Sequence, residues 1–161
     1  MRPVRLRAAD LDRYLRFRHE GLTRDAAAFR FAPEDDEALG RDAWRERLER
    51  DFVLAAADAS GLVGVGGFSR FSGTKIDHKG LIWGMVVAPA ARGTGVADAI
   101  MAGLIEHART CVRQVQLTVM AGNARACAFY ARHGFVAYGV ERDAVRLGEG
   151  FADETLMWRL L

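Results

Sequence analysis

The feature that most constrains the fold is a strand that runs through a glycine-rich turn directly into a helix. Its three parts read GLIWGMVVA, then PAARGTG, then VADAIMAGLIEHAR. The first part is apolar at nearly every position, which is typical of a strand buried on both faces of a sheet. The helix, predicted from about residue 95 to residue 109, leads to a second strand pattern, RQVQLTVMA, at residues 113–121. Two strands joined by a crossover helix pair in parallel, so the segment predicts an α/β fold.

The remaining patterns predict a single domain that covers residues 1–161. Amphipathic spacing predicts helices from an Asp10 cap to about residue 20, over residues 38–50, and between the N-cap Asn123 and Gly134. Apolar or alternating runs predict strands at residues 2–8, 52–58, 61–71, 80–88, 135–141 and 151–160. The order of these elements predicts a mixed central sheet of about seven strands with about four helices.

Composition argues against several classes of protein. The 161 residues carry a formal net charge of +2, and positive and negative residues are mixed along the chain rather than gathered in a basic stripe. No apolar run is long enough to span a bilayer, and the charged N-terminal segment is unlike a secretory signal. The two cysteines, Cys111 and Cys127, belong to no CxxC pair or Cys/His cluster. We therefore expect a cytoplasmic protein that binds no nucleic acid, membrane or metal ion.

The turn before the helix is predicted to bind phosphate. The first N–H groups of a helix lack intrahelical partners, and the helix dipole places partial positive charge there. Gly93 and Gly95 allow positive φ angles and a close approach of ligand to backbone. A P-loop would end in Gly-Lys-Ser/Thr, which this turn lacks, and a dinucleotide turn would need a third glycine or alanine where Asp98 stands. The alternative is a tight turn that only joins the strand to the helix and binds no ligand.

Two motifs carry a family resemblance. Arg92-Gly93-Thr94-Gly95-Val96-Ala97 matches the pattern Arg/Gln-x-x-Gly-x-Gly/Ala, and NARACAFYARHGF follows about thirty residues later. Together they resemble the pyrophosphate turn and the following helix of the GNAT family of N-acetyltransferases, which bind acetyl-coenzyme A. The motifs span residues 81–135, and the order of the predicted elements is that of the GNAT (acyl-CoA N-acyltransferase) fold.

The resemblance implies where acetyl-coenzyme A would bind. The central strand would part from its parallel neighbour, leaving splayed strands around the cofactor, with a bulge at Gly84. The pantetheine arm would lie along this strand, and the pyrophosphate would lie on the turn. The next helix would contact the arm from the side opposite the strand. The implied contact residues are Met85, Val86, Val87, Arg92, Gly93, Thr94, Gly95, Val96, Ala97, Asn123, Ala126, Phe129 and Tyr130.

The reaction that the resemblance implies is transfer of an acetyl group to a primary amine by direct attack. The acceptor would be a small molecule, a peptide, or a protein N-terminus or lysine. Tyr130 stands where the family often has the acid that protonates the leaving sulfur; a core aromatic is the alternative. A non-catalytic module that binds or senses acyl-coenzyme A is a second hypothesis, and a homodimer is possible because dimers are common in the family.

The general base stays unassigned. Many relatives have a glutamate four residues before the position of Val87, where this chain has Trp83. The remaining candidates are Asp77, His78, residues 34–37, Asp153 and Glu154, and a water chain or an amine that arrives neutral could replace them. The acceptor pocket is expected from two predicted loops at residues 23–37 and 142–151, whose charges have mixed signs.

Overall fold

A seven-stranded sheet organises the computed structural model, which describes residues 2–161. The strands lie in the order β1-β2-β3-β4-β5-β7-β6, and only the β4–β5 pair is parallel. The strands are β1 (Val4–Arg5), β2 (Phe52–Asp58), β3 (Gly61–Arg70), β4 (Lys79–Val87), β5 (Gln114–Met120), β6 (Val136–Leu147) and β7 (Gly150–Leu160). The helices are α1 (Leu11–Arg24), α2 (Pro33–Leu39), α3 (Arg41–Arg50), α4 (Val96–Arg109) and α5 (Ala124–Arg132).

Helices cover both faces of the sheet around its central strand. On one face, Ile100 and Leu104 of α4 pack in a core with Ile82 of β4. On the other, Tyr14 of α1 and Trp44 of α3 pack in a core that includes Val86 of β4. The prediction of a central strand buried on both faces is confirmed. Among residues 2–161, no helix combines the length and the apolar composition needed to cross a membrane.

The region between the first helix and β2 differs from the prediction. The first helix continues to Arg24 instead of ending near residue 20, and the helix predicted over residues 38–50 begins at Arg41. α2 forms largely inside the predicted loop, so residues 2–161 contain five α-helices. Pro33 occupies the first turn of α2, and the Asp35 carboxylate accepts a hydrogen bond from the N–H of Ala32. The prediction that Asp10 caps the first helix is wrong. Its side chain accepts a hydrogen bond from the N–H of Arg7 and makes no bond to the start of α1.

The two ends of the sheet also differ from the prediction. The first strand shrinks to Val4–Arg5, whereas β6 and β7 extend into one long hairpin. The prediction of a loop at residues 142–151 is therefore wrong, since most of this segment is paired strand. Its charged side chains are largely exposed on an edge strand, so the segment lacks the apolar alternation by which a half-buried strand is recognised.

Trp83 of β4 is held on both faces of its ring. One face lies over Gly67 of β3, where a Cβ atom would come within 2.5 Å of the indole. The guanidinium of Arg47 lies 3.8 Å from the ring centroid. The indole Nε1 donates to Ser69 Oγ at 2.7 Å, and Ser69 Oγ donates to the buried Asp51 carboxylate at 2.7 Å. The side chain at the position of the family's glutamate is therefore held in place and packs, partly buried, against the core.

We expect Gly67→Ala to destabilise the fold by about 1–3 kcal/mol, because the new methyl group would overpack against an indole that cannot move away. Gly122→Ala is the matched control, since a Cβ atom there would meet no atom within 4 Å. Chemical denaturation of both variants measures the difference. Equal stability of the two would show that the Trp83 ring is free to shift.

Candidate active site

A cleft opens where the two parallel strands separate. β4 and β5 pair only from Lys79 to Leu81, opposite Gln114 to Gln116. Beyond that point β4 carries an extra residue relative to β3, because Val65 faces Val86 while Gly67 faces Trp83. Gly84 lies in this bulge with φ of +64°, a conformation that L side chains rarely adopt. The predicted splay of the parallel strands is confirmed, and the structure also places a bulge at Gly84.

The cleft contains a cavity of about 390 Å³. Its wall is formed by the second half of β4, the glycine-rich turn, one side of α5, and residues near the end of α1. Every residue predicted to contact the cofactor lines it except Thr94 and Val96. The Thr94 hydroxyl instead donates to the carbonyl of Ala91 at 2.7 Å, and Val96 is buried in the core. The structure thus gathers these residues around one cavity, and their binding of a cofactor stays a prediction.

The turn has the backbone geometry of an anion cradle. Gly93 and Gly95 have φ angles of +78° and +86°, and a Cβ atom on either would meet nothing within 4 Å. The backbone there is therefore open to a ligand. α4 begins at Val96, so its first N–H groups and the positive end of its dipole lie beside this open surface. A phosphate group fits such a site.

Arg92 is already engaged within the protein. Its Nη2 donates to Asp25 at 2.6 Å, and its Nε donates to the carbonyl oxygen of Val87 at 3.2 Å. Asp25 therefore offsets the positive charge that Arg92 brings to the turn. The Val87 carbonyl, which the resemblance assigned to the pantetheine arm, also accepts a bond from the protein itself. The binding capacity of the turn consequently resides in its backbone N–H groups.

The helix α5 forms the opposite wall. The Asn123 side chain accepts a hydrogen bond from the N–H of Ala126 at 3.1 Å, which confirms the predicted N-cap. Tyr130 packs between Phe129 and Phe135, with ring centroids 5.3 Å and 6.0 Å away. Burial raises the pKa of Tyr130 to about 12, so the phenol is neutral at pH 7. Tyr130 also lines the cavity, where a ligand can approach it.

Most of the candidate bases lie away from the cavity wall. Asp77 and His78 immediately precede β4, at the opposite end from the bulge, and Asp77 is paired with Arg70. The carboxylates of residues 34–37 belong to α2. Of these, Asp36 forms a buried pair with Arg18, at 2.6 Å and 3.1 Å. Asp153 is paired with Arg142. In the described structure none of these side chains lines the cavity.

Glu154 is connected to the cavity through another residue. Its carboxylate is 2% exposed, and its Oε1 accepts a hydrogen bond from Thr118 Oγ1 at 3.3 Å. Thr118 lines the cavity. Sequence reasoning missed Thr118, although its place between the apolar Leu117 and Val119 indicated a polar position on a strand. It also missed Asp25, whose partner Arg92 is 67 residues away in the chain and left no local pattern.

Comparison with known proteins then identifies the family. Residues 18–135 match the model of the acetyltransferase (GNAT) family. The chain belongs to this family. It is therefore an acetyltransferase, and GNAT enzymes take their acetyl group from acetyl-coenzyme A. Comparison with curated protein sequences gives no significant match.

Solved structures share the GNAT fold over nearly the whole chain. An acetyltransferase of the GNAT family from Streptococcus pneumoniae is similar with a TM-score of 0.86 and 21% identity, covering 99% of this chain and 98% of that one. The ribosomal-protein-alanine N-acetyltransferase from Brucella melitensis is similar with a TM-score of 0.80 and 23% identity, covering 100% of both chains. The Salmonella typhimurium protein yncA, solved with its cofactor acetyl-CoA, is similar with a TM-score of 0.80 and 19% identity, covering 100% of this chain and 94% of that one.

We expect Gly95→Ala to weaken acetyl-coenzyme A binding by at least about tenfold, because the methyl group strains the turn and shifts its N–H groups. Gly148→Ala is the matched control, since Gly148 also has positive φ and open space but lies in the β6–β7 turn. Calorimetric titration measures both affinities. If both variants bind like the unchanged protein, the cradle interpretation fails.

Proposed function

We propose that this protein transfers the acetyl group of acetyl-coenzyme A to a primary amine by direct attack of the amine. The observation that carries the proposal is the single cavity that joins the turn at Gly93 and Gly95 to the phenol of Tyr130. Its lining offers backbone N–H groups for phosphate at the turn and a neutral proton donor at Tyr130. An elongated ligand with phosphates at one end and a reactive group at the other fits this arrangement.

The residues present fit acetyl-coenzyme A, which supplies the acetyl group as an activated thioester. The backbone N–H groups at the start of α4 would hold the pyrophosphate. The bulge at Gly84 opens β4 so that backbone groups of Met85 and Val86 can pair with the pantetheine amides. Asn123 would contact the same arm from α5. In the described part of the chain no group of three His, Cys, Asp or Glu side chains is placed to hold a metal ion.

Tyr130 is proposed to protonate the departing sulfur. Its hydroxyl carries a proton at neutral pH because burial raises its pKa to about 12. A phenol with so high a pKa keeps its proton across roughly pH 6 to 10, so it is present as a neutral donor to the departing sulfur. The position in the cavity wall supports this role over that of a core aromatic.

The acceptor would enter beside residues 25–29, where Ala28 and Phe29 line the cavity. The similarity to a ribosomal-protein-alanine N-acetyltransferase makes a peptide with an N-terminal alanine one member of the class to test. A screen therefore includes this peptide, free lysine, spermidine and tyramine. Release of thiol from acetyl-coenzyme A identifies the amines that react.

The first expected result is thermal stabilisation by acetyl-coenzyme A and by neither ATP nor NADH. A ligand that binds only the folded state raises the midpoint of unfolding by mass action. Thiol release with at least one amine of the screen is expected next. If acetyl-coenzyme A leaves the melting temperature of the folded protein unchanged, the proposed cofactor site is incorrect.

Tyr130→Phe is expected to lower the rate of thiol release by about 10²-fold while leaving thermal stabilisation by acetyl-coenzyme A intact, because only the proton is lost. In the unchanged protein the rate should not fall between roughly pH 6 and 10, since the phenol stays protonated there. Full activity of the variant would exclude Tyr130 as the acid.

The second candidate is a non-catalytic module that binds or senses acyl-coenzyme A. The observation in its favour is Trp83, which is fixed between Gly67 and Arg47 at the position of the family's glutamate. This hypothesis expects stabilisation by acetyl-coenzyme A without thiol release for any amine of the screen. Turnover of one amine excludes it.

A further inference from the structure

A polar cluster centred on the buried carboxylate of Glu154 lies next to the wall of the cleft. Thr118 of β5 lines the cavity, and its hydroxyl donates to Glu154 of β7. Arg30, from the segment between α1 and α2, pairs with the second oxygen of Glu154 and also with Glu141 of β6, at 3.3 Å. Glu141 and Glu154 face each other across the β6–β7 ladder. Three strands and a loop thus converge on one carboxylate that is nearly sealed from solvent.

The hydrogen bond to Glu154 determines what Thr118 can offer the cavity. A hydroxyl has one hydrogen and two lone pairs. Because the hydrogen of Thr118 is directed to Glu154, the oxygen can only accept a bond from a ligand in the cavity. An attacking amine presents N–H groups, so Thr118 is suited to bind one of them while the nitrogen lone pair is directed to the acetyl carbon.

The cluster contains more negative than positive groups. Arg30 supplies one positive charge, whereas Glu141 and Glu154 supply two negative charges, so the three groups carry one net negative charge. Arg30 thus has Glu141 as a partner in addition to Glu154.

From these contacts we infer that Glu154, acting through Thr118, is the proton acceptor for the attacking amine. The inference rests on the proposed function and fills the role that Trp83 does not. As the carbon–nitrogen bond forms and the carbon–sulfur bond breaks, the amine gives a proton to Thr118 Oγ. The hydroxyl proton of Thr118 passes at the same time to Glu154 Oε1. The departing sulfur takes its proton from Tyr130, and solvent later restores both groups.

Two other carboxylates near the cleft are, like Glu154, paired with an arginine. Asp36 is bonded twice to Arg18, which covers the back of the bulge, with Nη1 3.1 Å from where a Cβ of Gly84 would lie. Asp25 is bonded to Arg92 at the mouth of the cleft, beside the cradle. Asp25 and Asp98 line the cavity themselves, whereas Glu154 reaches its wall through the hydroxyl of Thr118.

Thr118→Val tests the inference, because valine keeps the shape of threonine and removes the hydroxyl. We expect kcat to fall about 10²-fold with each amine that the unchanged protein acetylates, since general base catalysis contributes on this scale. Thr118→Ser, which restores the hydroxyl, should retain activity within a few-fold. Thermal stabilisation by acetyl-coenzyme A should be the same in both variants and in the unchanged protein.

Glu154→Gln supplies the second test. It should lower kcat as much as Thr118→Val does, and the double variant should lose no more than either single one, because both changes break the same relay. A purely packing role would instead give additive losses, a lower melting temperature and no rescue by serine. Unchanged kcat in Thr118→Val, or additive losses in the double variant, would overturn the inference.

These results separate this inference from the proposed function. If the unchanged protein is stabilised by acetyl-coenzyme A but releases thiol with no amine of the screen, both the proposed reaction and the relay are excluded. If the unchanged protein turns over an amine and Thr118→Val does so equally well, the reaction stands and the relay alone is excluded.

Discussion

The separation of β4 from β5 is the constraint on which the rest of the site depends. Two parallel strands inside a sheet would normally continue to pair, because unpaired backbone groups are costly to bury. Here pairing ends at Leu81, and the bulge at Gly84 turns the following residues toward the gap. The chain then continues from β4 into the turn at Gly93 and Gly95. Without the bulge the sheet would close, and the turn and α5 would have no cavity between them.

Packing and strand pairing elsewhere in the sheet compensate for the pairing that β4 and β5 lack. α4 and α1 bury the two faces of β4, so the strand is held by packing where it lacks a parallel partner. β5 in turn keeps a full antiparallel ladder with β7 along its whole length. The cleft is therefore a gap between two well-supported halves of the sheet.

The sequence predicted the elements that carry strong periodic or turn signals. The central strand, the turn, α4 and α5 follow from apolar runs, glycine spacing and the Asn123 cap, and they include most of the cavity wall. Prediction failed where local signals are weak. The hairpin beyond residue 141 is an exposed edge with charged side chains, and α2 is a short helix of mostly acidic residues. Pairings between distant residues, such as Arg92 with Asp25 and Arg30 with Glu154, have no local signature and came only from the fold.

The ion pair between Arg92 and Asp25 joins two parts of the cleft that are distant in the chain. Asp25 caps the end of α1 and begins the segment that carries Ala28 and Phe29, whereas Arg92 begins the cradle. One salt bridge therefore ties the part of the cavity wall at Ala28 and Phe29 to the turn between β4 and α4. Each of the two segments is positioned by a contact that it could not make within its own stretch of sequence.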